Sequence, residues 1–137
     1  MIEEQTDSML NVSVVIPCLN EEASISSCVG RSLAAIRDAD MSGEVIVVDN
    51  GSIDRSAEVA TEAGARVVLE ERKGYGSAYL RGFREARGEL VFMGDGDGTY
   101  PFEDLPRFVA GMHDGAEFVL GTRLNPRQAI PPPVGTP

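Results

Sequence analysis

Two aspartates separated by one residue are the chemically most distinctive feature of this sequence. Asp95 and Asp97 lie in LVFMGDGDGTYPFEDL, residues 90–105, directly after an apolar run. Two carboxylates at this spacing can share a hard divalent cation such as Mg²⁺ or Mn²⁺, with phosphate and water oxygens completing its shell. Such an ion holds a diphosphate beside acidic groups that would otherwise repel it, and it stabilises charge on a departing diphosphate. An EF-hand is excluded, because position 6 of that loop would be Tyr100 and not glycine.

Polar residues that can bind or coordinate follow the other apolar runs as well. They are PCLNE at 17–21, DNGS at 49–52, ERKG at 71–74 and TR at 122–123. Each has a structural alternative. The stretch 49–52 is also suited to capping a helix, and 73–76 (KGYG) is also suited to a plain loop that begins one. One such loop would mean little, but five that converge on one edge predict a binding site.

The elements that must position these loops are strands and helices in alternation. Five short runs, at 12–17, 45–49, 66–70, 90–94 and 118–121, are continuous and rich in β-branched residues, as in strands buried on both faces. Four helical stripes lie between or after them. They comprise Ile25, Cys28, Val29, Leu33 and Ile36; Ala57, Ala60 and Ala63, stopped by Gly64; Ala78, Phe83 and Ala86, before Gly88; and Phe102, Leu105, Phe108, Val109 and Met112.

This alternation predicts an α/β fold with a doubly wound, mostly parallel sheet. In open sheets of this kind, ligands bind beyond the carboxyl ends of the strands, where the polar loops should meet. A dinucleotide-binding turn is disfavoured, since no G-x-G-x-x-G follows the first run. A Ser-His-Asp or Cys-His arrangement is also disfavoured, because His113 is the single histidine and lies near a predicted helix end.

Composition sets further bounds on function. The chain has 137 residues, which predicts one domain, and its net charge of −10 argues against nucleic acid as a partner. It contains no apolar run of 18 residues, and its acidic start lacks the features of a signal peptide. Cys18 and Cys28 are then expected to be reduced thiols, with Cys28 in a helix core, and the expected location is the cytoplasm.

Taken together, the motifs resemble those of family 2 glycosyltransferases with the GT-A fold. The matching stretches are VSVVIPCLNEEASI, VIVVDNGSIDRSAEVA, KGYGSAYLRGFREARGELVFMGDGDGTYPFEDL and FVLGTR, in the family's order and spacing over residues 12–123. The chain most resembles the branch that contains dolichyl- and polyprenyl-phosphate sugar synthases. The resemblance implies a nucleotide-diphospho-sugar donor, linked to UDP or GDP, that lies across the strand ends.

The resemblance also implies which residues hold the nucleoside. By position, Pro17, Leu19 and Glu21 match the first nucleotide-binding loop. Asp49 and Asn50 match the family's Asp-Asp pair, which holds the base. The second member of that pair is an asparagine here, so its amide oxygen can accept a hydrogen bond without carrying a charge.

The phosphate side of the donor is implied in the same way. Asp95 and Asp97 match the D-x-D element that holds the ribose and the metal-bound diphosphate, so they are the expected catalytic and metal-binding residues, with Mg²⁺ or Mn²⁺ as the cofactor. Arg123 matches the arginine of a G-[ST]-R strand end near the phosphates. Lys73 and Ser52 complete the expected nucleotide-binding set.

The implied reaction is a single in-line displacement at the anomeric carbon, with inversion. If the acceptor is a polyprenyl phosphate at the membrane surface, its oxygen is already ionised at neutral pH and needs no strong general base. The alternative is a non-catalytic nucleotide-sugar-binding or assembly module derived from the family. A nucleotidyltransferase ranks below both, because its glycine-rich phosphate loop is missing from PCLNEE.

The expected organisation is an N-terminal extension at 1–11, a nucleotide-sugar-binding half-domain at 12–124 and a proline-rich irregular tail at 125–137. After Arg123 the chain departs from the family's motifs, so we expect a domain truncated after the fifth strand. Three origins stay open: a fragment, a shortened gene or a natural short homologue. Apolar surface left uncovered by the absent segment predicts a homodimer.

Overall fold

Strands and helices alternate along the chain, as the first four apolar runs predict. The computed structural model describes residues 10–96, 98 and 101–107. The elements are β1 (Val12–Cys18), α1 (Ile25–Asp38), β2 (Gly43–Asp49), α2 (Ser56–Ala63), β3 (Arg66–Leu69), α3 (Tyr75–Glu85), β4 (Leu90–Met93) and a 3₁₀ turn (Phe102–Asp104). Asp97, Arg123, His113, the run at 118–121 and the tail at 125–137 lie outside the described residues.

Within the described part of the chain, the four strands form one sheet in the order β3-β2-β1-β4. Every neighbouring pair is parallel. Cys18 pairs with Asp49, and Asp49 pairs with Leu69, so the last residues of β1, β2 and β3 form one row. The loops that follow these strands therefore leave the sheet at the same edge, which we call the carboxyl edge.

Helices cover both faces of the sheet, which confirms the doubly wound α/β architecture. On one face, Val14 and Ile16 belong to a buried cluster with Ile25 and Val29 of α1. On the other, Val15 forms a second cluster with Ile46, Val48 and Ala78 of α3. Successive residues of β1 are thus buried on opposite sides, which explains why its sequence is continuously apolar. Among the described helices, none is long and apolar enough to cross a bilayer.

Helix α3 corrects one part of the sequence-based expectation. Its buried positions are Ala78 and Gly82, whereas Phe83, which we expected in the core stripe, is 45% exposed. The reason is a close approach: a Cβ atom at position 82 would overlap the side chain of Val15. The helix lies so near the sheet that glycine faces it, and the larger Phe83 turns outward. The helix also ends at Glu85, before the expected stop at Gly88.

The opposite end of the sheet, the amino edge, is held by a network of polar and charged groups. The buried Ser13 hydroxyl donates to Glu44 Oε2 at 2.6 Å and accepts from the Gly88 amide at 2.8 Å. Arg66 bridges Glu44 and Glu85 with N–O distances of 3.0 Å to each. Burial alone would raise the pKa of Glu44, but hydrogen bonds from Ser13, the Arg87 amide and Arg66 outweigh it and lower the pKa.

Candidate functional site

A cleft of about 340 Å³ opens at the carboxyl edge of the sheet. It is bounded by the ends of β1 and β2 and by the loop between β3 and α3. Among its lining residues are five that the sequence predicts to bind nucleotide: Pro17, Leu19, Glu21, Asn50 and Lys73. The others are Cys18, Gly74 and Tyr75. The structure therefore brings together predicted residues from three separate loops, at the edge where open parallel sheets bind ligands.

The loop after β1 is tied to the loop after β2 by hydrogen bonds to backbone amides. The Asn20 amide donates to Ser52 Oγ at 2.8 Å, and the Ile53 amide donates to Asn20 Oδ1 at 2.9 Å. The Glu21 amide donates to Ser56 Oγ at 2.8 Å. These bonds fix the backbone at Pro17–Glu21 relative to β2. They also show that the Ser52 hydroxyl, expected to bind nucleotide, supports the neighbouring loop.

Two aspartates support the turn that follows β2. Asp49 is only 8% exposed, and its Oδ1 accepts a hydrogen bond from the Ser52 amide at 3.1 Å. Asp54 accepts from the amide and hydroxyl of Ser56 and from the Glu22 amide. The Ser56 hydroxyl lowers the pKa of Asp54. Asp54 was not among the residues predicted from the motifs, although its place just before a predicted helix is typical of a capping residue.

Asn50 makes three hydrogen bonds to the loop between β3 and α3. The residue is 6% exposed. Its Nδ2 donates to the carbonyl oxygens of Glu70 and Arg72 at 2.9 and 2.7 Å. Its Oδ1 accepts from the Gly74 amide at 2.9 Å. The amide group is thus engaged at both its nitrogen and its oxygen.

Lys73 brings positive charge to the cleft from the same loop. The residue is exposed and lines the cleft. Its ammonium group lies over the end of β2, since a Cβ atom at position 51 would be 3.2 Å from Lys73 Nζ. A cation at this place can attract the phosphates of a ligand in the cleft.

Asp95 lies in the loop after β4, and its side chain contacts a tyrosine of helix α3. The Tyr79 hydroxyl donates to Asp95 Oδ1 at 3.2 Å. The Tyr79 ring packs against the cluster around Val15, so its polar tip is held at a fixed place. Sequence analysis did not identify Tyr79. The available signal was a tyrosine one position from the buried Ala78, since a tyrosine packed against a core needs a partner for its hydroxyl.

Gly96, between the two aspartates, explains how this loop packs. It is buried, and a Cβ atom there would lie 3.1 Å from Ile25 Cδ1 and 3.2 Å from Ile16 Cγ2. The Ser24 hydroxyl donates to its carbonyl at 2.6 Å. Glycine therefore lets the loop lie directly on the core next to Asp95.

The far side of this loop is attached to α1 by Arg31. The guanidinium donates to both carboxylate oxygens of Glu103, at 2.6 and 2.9 Å, and to the Gly98 carbonyl at 3.3 Å. Its carbon lies 5.6 Å from the centre of the Phe102 ring. The Arg31 hydrogen bonds lower the pKa of Glu103 to about 2. The loop is thus held at Gly96 and again at Gly98.

The donor set can be tested for its fit to a divalent cation. No group of three or more His, Cys, Asp or Glu side chains that could hold a metal occurs among residues 10–96, 98 and 101–107. Asp97, the second expected ligand, lies outside these residues. Asp95 offers a carboxylate of the kind that Mg²⁺ and Mn²⁺ prefer, held in orientation by Tyr79. Its chemistry fits a site in which diphosphate oxygens supply the remaining ligands.

Cys18 lines the cleft without the properties of a nucleophile. Burial is the main reason that the pKa of its thiol is raised to about 11. The thiol is therefore protonated at neutral pH, and a thiolate is the reactive form. Cys28 is buried in α1, as expected, and no disulfide joins it to Cys18.

A comparison of sequences decides the family. The chain matches the model of Glycosyl transferase family 2 over residues 13–132. It belongs to this family. The resemblance carried by the motifs is confirmed.

Relatives of this family member come from archaea and bacteria. The low-salt glycan biosynthesis hexosyltransferase Agl6 of Haloferax volcanii is 42% identical over 125 residues, which are 90% of this chain and 30% of the relative. An undecaprenyl-phosphate 4-deoxy-4-formamido-L-arabinose transferase of Pectobacterium carotovorum is 40% identical over 131 residues, which are 90% of this chain and 40% of the relative. The chain thus spans less than half the length of these relatives.

Solved structures agree with the fold. Glucosyl-3-phosphoglycerate synthase from Mycobacterium tuberculosis, crystallised with Mn²⁺, UDP-glucose and phosphoglyceric acid, superposes with a TM-score of 0.66 and is 33% identical. The aligned part covers 77% of this chain and 40% of the synthase. A crystal of that synthase with Mg²⁺ and UDP gives a TM-score of 0.64 at 32% identity. Structural neighbours therefore bind UDP together with a divalent cation.

Proposed function

We propose that this chain binds the nucleotide-diphospho-sugar donor of an inverting glycosyltransferase. The observation that carries the proposal is the cleft at the carboxyl edge, which gathers Pro17, Leu19, Glu21, Asn50 and Lys73 from three loops. Family membership and the UDP-bound structural neighbours support the same ligand class. We also propose that the whole protein transfers the sugar of this donor to an acceptor.

Each part of the cleft suits a different part of the donor. Leu19, which is 47% exposed, offers an apolar surface against which a base can pack. Glu21 in the cleft lining would offer an acceptor for ribose or base groups, and Asp49 at the end of β2 is the second proposed acceptor. Lys73 lies where it would neutralise phosphate charge, and Arg123 is expected to contribute similarly. The bound species would be a UDP- or GDP-sugar.

The proposed cofactor is a divalent cation held by Asp95 and Asp97 together with the diphosphate. When bound, Mg²⁺ or Mn²⁺ would neutralise charge on the leaving diphosphate. The contribution of this chain is to hold the Asp95 carboxylate in place through Tyr79 and to pack the backbone at Gly96 against the core. Two aspartates and a lysine would then face the same diphosphate.

We further propose a polyprenyl phosphate as the acceptor, encountered at the cytoplasmic surface of a membrane. The support is the relative that transfers a sugar to undecaprenyl phosphate. A phosphate oxygen of the acceptor would form a bond to the anomeric carbon as the bond from that carbon to the donor diphosphate breaks, and the electron pair would leave with the nucleoside diphosphate. No proton has to be transferred, because the acceptor oxygen is already ionised.

Calorimetric titration with UDP-, GDP- and dTDP-sugars, with and without Mn²⁺, tests donor binding. We expect the sugars of one of these three nucleotides to bind when Mn²⁺ is present. Asp95→Asn or Asp97→Asn should weaken that binding by at least about tenfold, or about 1.4 kcal/mol. Asp40→Asn is the matched control, since Asp40 is exposed in the turn between α1 and β2 at the amino edge. Equal affinity in the Asp97 variant or with Mn²⁺ omitted would contradict the metal-dependent site.

A transfer assay separates the enzyme from a binding module. The bound donor is incubated with a polyprenyl phosphate, and release of nucleoside diphosphate is measured. Release above the hydrolysis rate supports the transferase. Donor binding without release, with varied lipid and sugar acceptors, would favour the non-catalytic module.

A homodimer is the proposed assembly. Its support is a set of exposed apolar side chains on α3 and at the end of β3: Leu80 (57%), Phe83 (45%) and Leu69 (52%). Uncovered apolar surface of this kind favours association. Sedimentation equilibrium should show dimers that Leu80→Gln weakens, and a monomer at all concentrations would refute the proposal.

A further inference from the structure

The side chain of Asn50 holds the backbone on both sides of Lys73. Its Nδ2 donates to the carbonyl of Arg72 at 2.7 Å, and its Oδ1 accepts from the Gly74 amide at 2.9 Å. A third bond, to the Glu70 carbonyl at 2.9 Å, extends the contact to the start of the loop. One buried side chain, directly after β2, thus fixes three backbone groups of the segment that carries the cleft lysine.

The orientation of the Asn50 amide is forced by its partners. Backbone carbonyls only accept hydrogen bonds, and the Gly74 N–H only donates. The nitrogen must therefore face Glu70 and Arg72, and the oxygen must face Gly74. An aspartate at this position could still accept from Gly74, but its second oxygen would face two carbonyl oxygens with no proton to share. The position requires a group that donates and accepts at once.

Other hydrogen bonds also hold this loop. The Gly74 carbonyl accepts from the Ala78 amide at 3.1 Å, which ties the residue after Lys73 to the first turn of α3. Glu70 Oε2 accepts from the Arg72 amide at 2.8 Å, which fixes the loop before Lys73 and not after it. Arg72, Lys73 and Gly74 are all exposed. The lysine side chain extends back toward Gly51, the residue after Asn50 in sequence. A displaced backbone at Lys73 would move its ammonium group out of the cleft.

We propose that Asn50 is a positioning residue that sets Lys73 over the cleft by donating to one side of the loop and accepting from the other. The choice of ligand in this inference rests on the proposed function. The role of Asn50 in holding the loop rests on its hydrogen bonds alone. It differs from the direct contact with the base that the resemblance implies for this position. The two roles predict different behaviour when Asn50 and Lys73 are changed together.

A double-mutant cycle distinguishes them, with UDP and Mn²⁺ as the probe. Affinities are measured by calorimetry for the unmodified chain, Asn50→Ala, Lys73→Ala and the double variant. We expect each single change to weaken binding by about tenfold, as for loss of a charge-assisted contact, and the double variant to be no weaker than the weaker single one. If the two losses multiply to about a hundredfold, Asn50 acts on the nucleotide independently and the proposal is overturned.

Amide hydrogen exchange tests the loop without any ligand. We expect exchange at Gly74 to be accelerated at least tenfold in Asn50→Ala, because alanine removes the acceptor of that amide. Asn11→Ala is the matched control. Asn11 Oδ1 accepts from the Ser42 amide at 2.9 Å at the amino edge, so alanine there removes a similar acceptor and should leave exchange at Gly74 unchanged. Amides in the centre of β1 report whether each variant is folded.

The two measurements separate this inference from the proposed function. Unchanged exchange at Gly74 in a folded Asn50→Ala chain would overturn the positioning role even if UDP binds normally. A chain that binds no nucleotide under any condition would overturn the proposed function, and the exchange result would still decide whether Asn50 holds the loop.

Discussion

The two edges of the sheet are built from different interactions. At the amino edge, opposite charges meet: Arg66 lies between Glu44 and Glu85, and Ser13 and Arg87 bond to the same Glu44 carboxylate. In this network, charged side chains of the protein are partnered by one another.

At the carboxyl edge, neutral side chains join the loops to one another, and the carboxylates of Asp49, Asp54 and Glu70 accept from backbone amides. Asn20, Ser52, Ser56 and Asn50 tie three loops together through backbone amides and carbonyls. These neutral hydrogen bonds join the loops without using the side chain of Lys73. The difference teaches that one sheet can separate stability from binding, because the ends of its strands differ only in the loops they carry.

Glu44→Ala should show the largest effect on stability. It removes the acceptor of Ser13 and of the Arg87 amide and one partner of Arg66, which is 28% exposed in its side chain. Loss of one member of a largely buried ion pair leaves groups without compensation, and we expect about 2–4 kcal/mol lower free energy of unfolding. Urea denaturation measures it.

The matched control for this variant is Glu58→Ala on α2. Its partner Arg55 and Glu58 itself are 58% and 64% exposed in their side chains, so the change should cost no more than about 0.5 kcal/mol. UDP affinity should be the same in both variants at temperatures where they are folded. A Glu44 variant of normal stability, or one with specifically weakened nucleotide binding, would break the separation between the edges.

Gly82→Ala probes the region between the edges, where α3 crosses β1. The added Cβ would overlap the Val15 side chain, so we expect overpacking to cost about 1–3 kcal/mol. Gly30→Ala in α1 is the control, because no atom beyond its chain neighbours and the backbone of its own helix lies within 4 Å of its Cβ position. Alanine there should raise stability by up to about 1 kcal/mol through helix propensity. Thermal unfolding compares them, and equal melting temperatures would refute the close contact.

Much of this fold follows from the sequence because its strands are buried on both faces. Continuous β-branched runs located β1 and β2 to within two residues at either end, and Gly64 marked the end of α2. Phe83 was misplaced because hydrophobicity alone suggested that it faced the core. The close packing of Gly82 on Val15, which depends on tertiary structure, determines that face of α3 instead.

The candidate site was predictable at the level of loops and less so at the level of contacts. Order along the chain and parallel topology placed Glu21 and Lys73 at one cleft. The bond from Tyr79 to Asp95 joins residues 16 apart, and those from Asn50 to the next loop join residues up to 24 apart. Such pairs depend on how elements pack, and no local pattern encodes them.

A smaller electrostatic contribution to the free energy of unfolding should come from an ion pair near the carboxyl edge, and it should disappear in acid. Arg31 lowers the pKa of Glu103 to about 2. A carboxyl group whose pKa is lower in the folded than in the unfolded chain stabilises the folded chain at pH values above its unfolded pKa of about 4.3. This stabilisation is lost as the pH falls through the pKa of the folded chain. The Glu103 side chain is 61% exposed, so we expect less than about 1 kcal/mol from it.

The variant Glu103→Gln isolates this contribution. Its free energy of unfolding should lie below that of the unmodified chain at pH 7, and the two curves should converge as pH falls from about 5 to 2. Urea titrations across this range measure both curves. A difference that stays constant with pH would show that the Arg31–Glu103 pair does not depend on ionisation of Glu103.

Replacing Cys18 should have the smallest effect on UDP affinity, although this residue lines the cleft. It is 2% exposed, and burial raises the pKa of its thiol to about 11. At pH 8 only about one thiol in a thousand would then be ionised, so a disulfide reagent such as DTNB should react with it slowly in the folded chain and rapidly in urea. Cys18→Ala should leave UDP affinity within about twofold, because a protonated, buried thiol offers the ligand neither charge nor a strong hydrogen bond. If the Cys18 thiol instead reacts rapidly in the folded chain and UDP protects it, the end of β1 takes part in nucleotide binding. The contrast between the two edges would then include β1 itself as well as the loops.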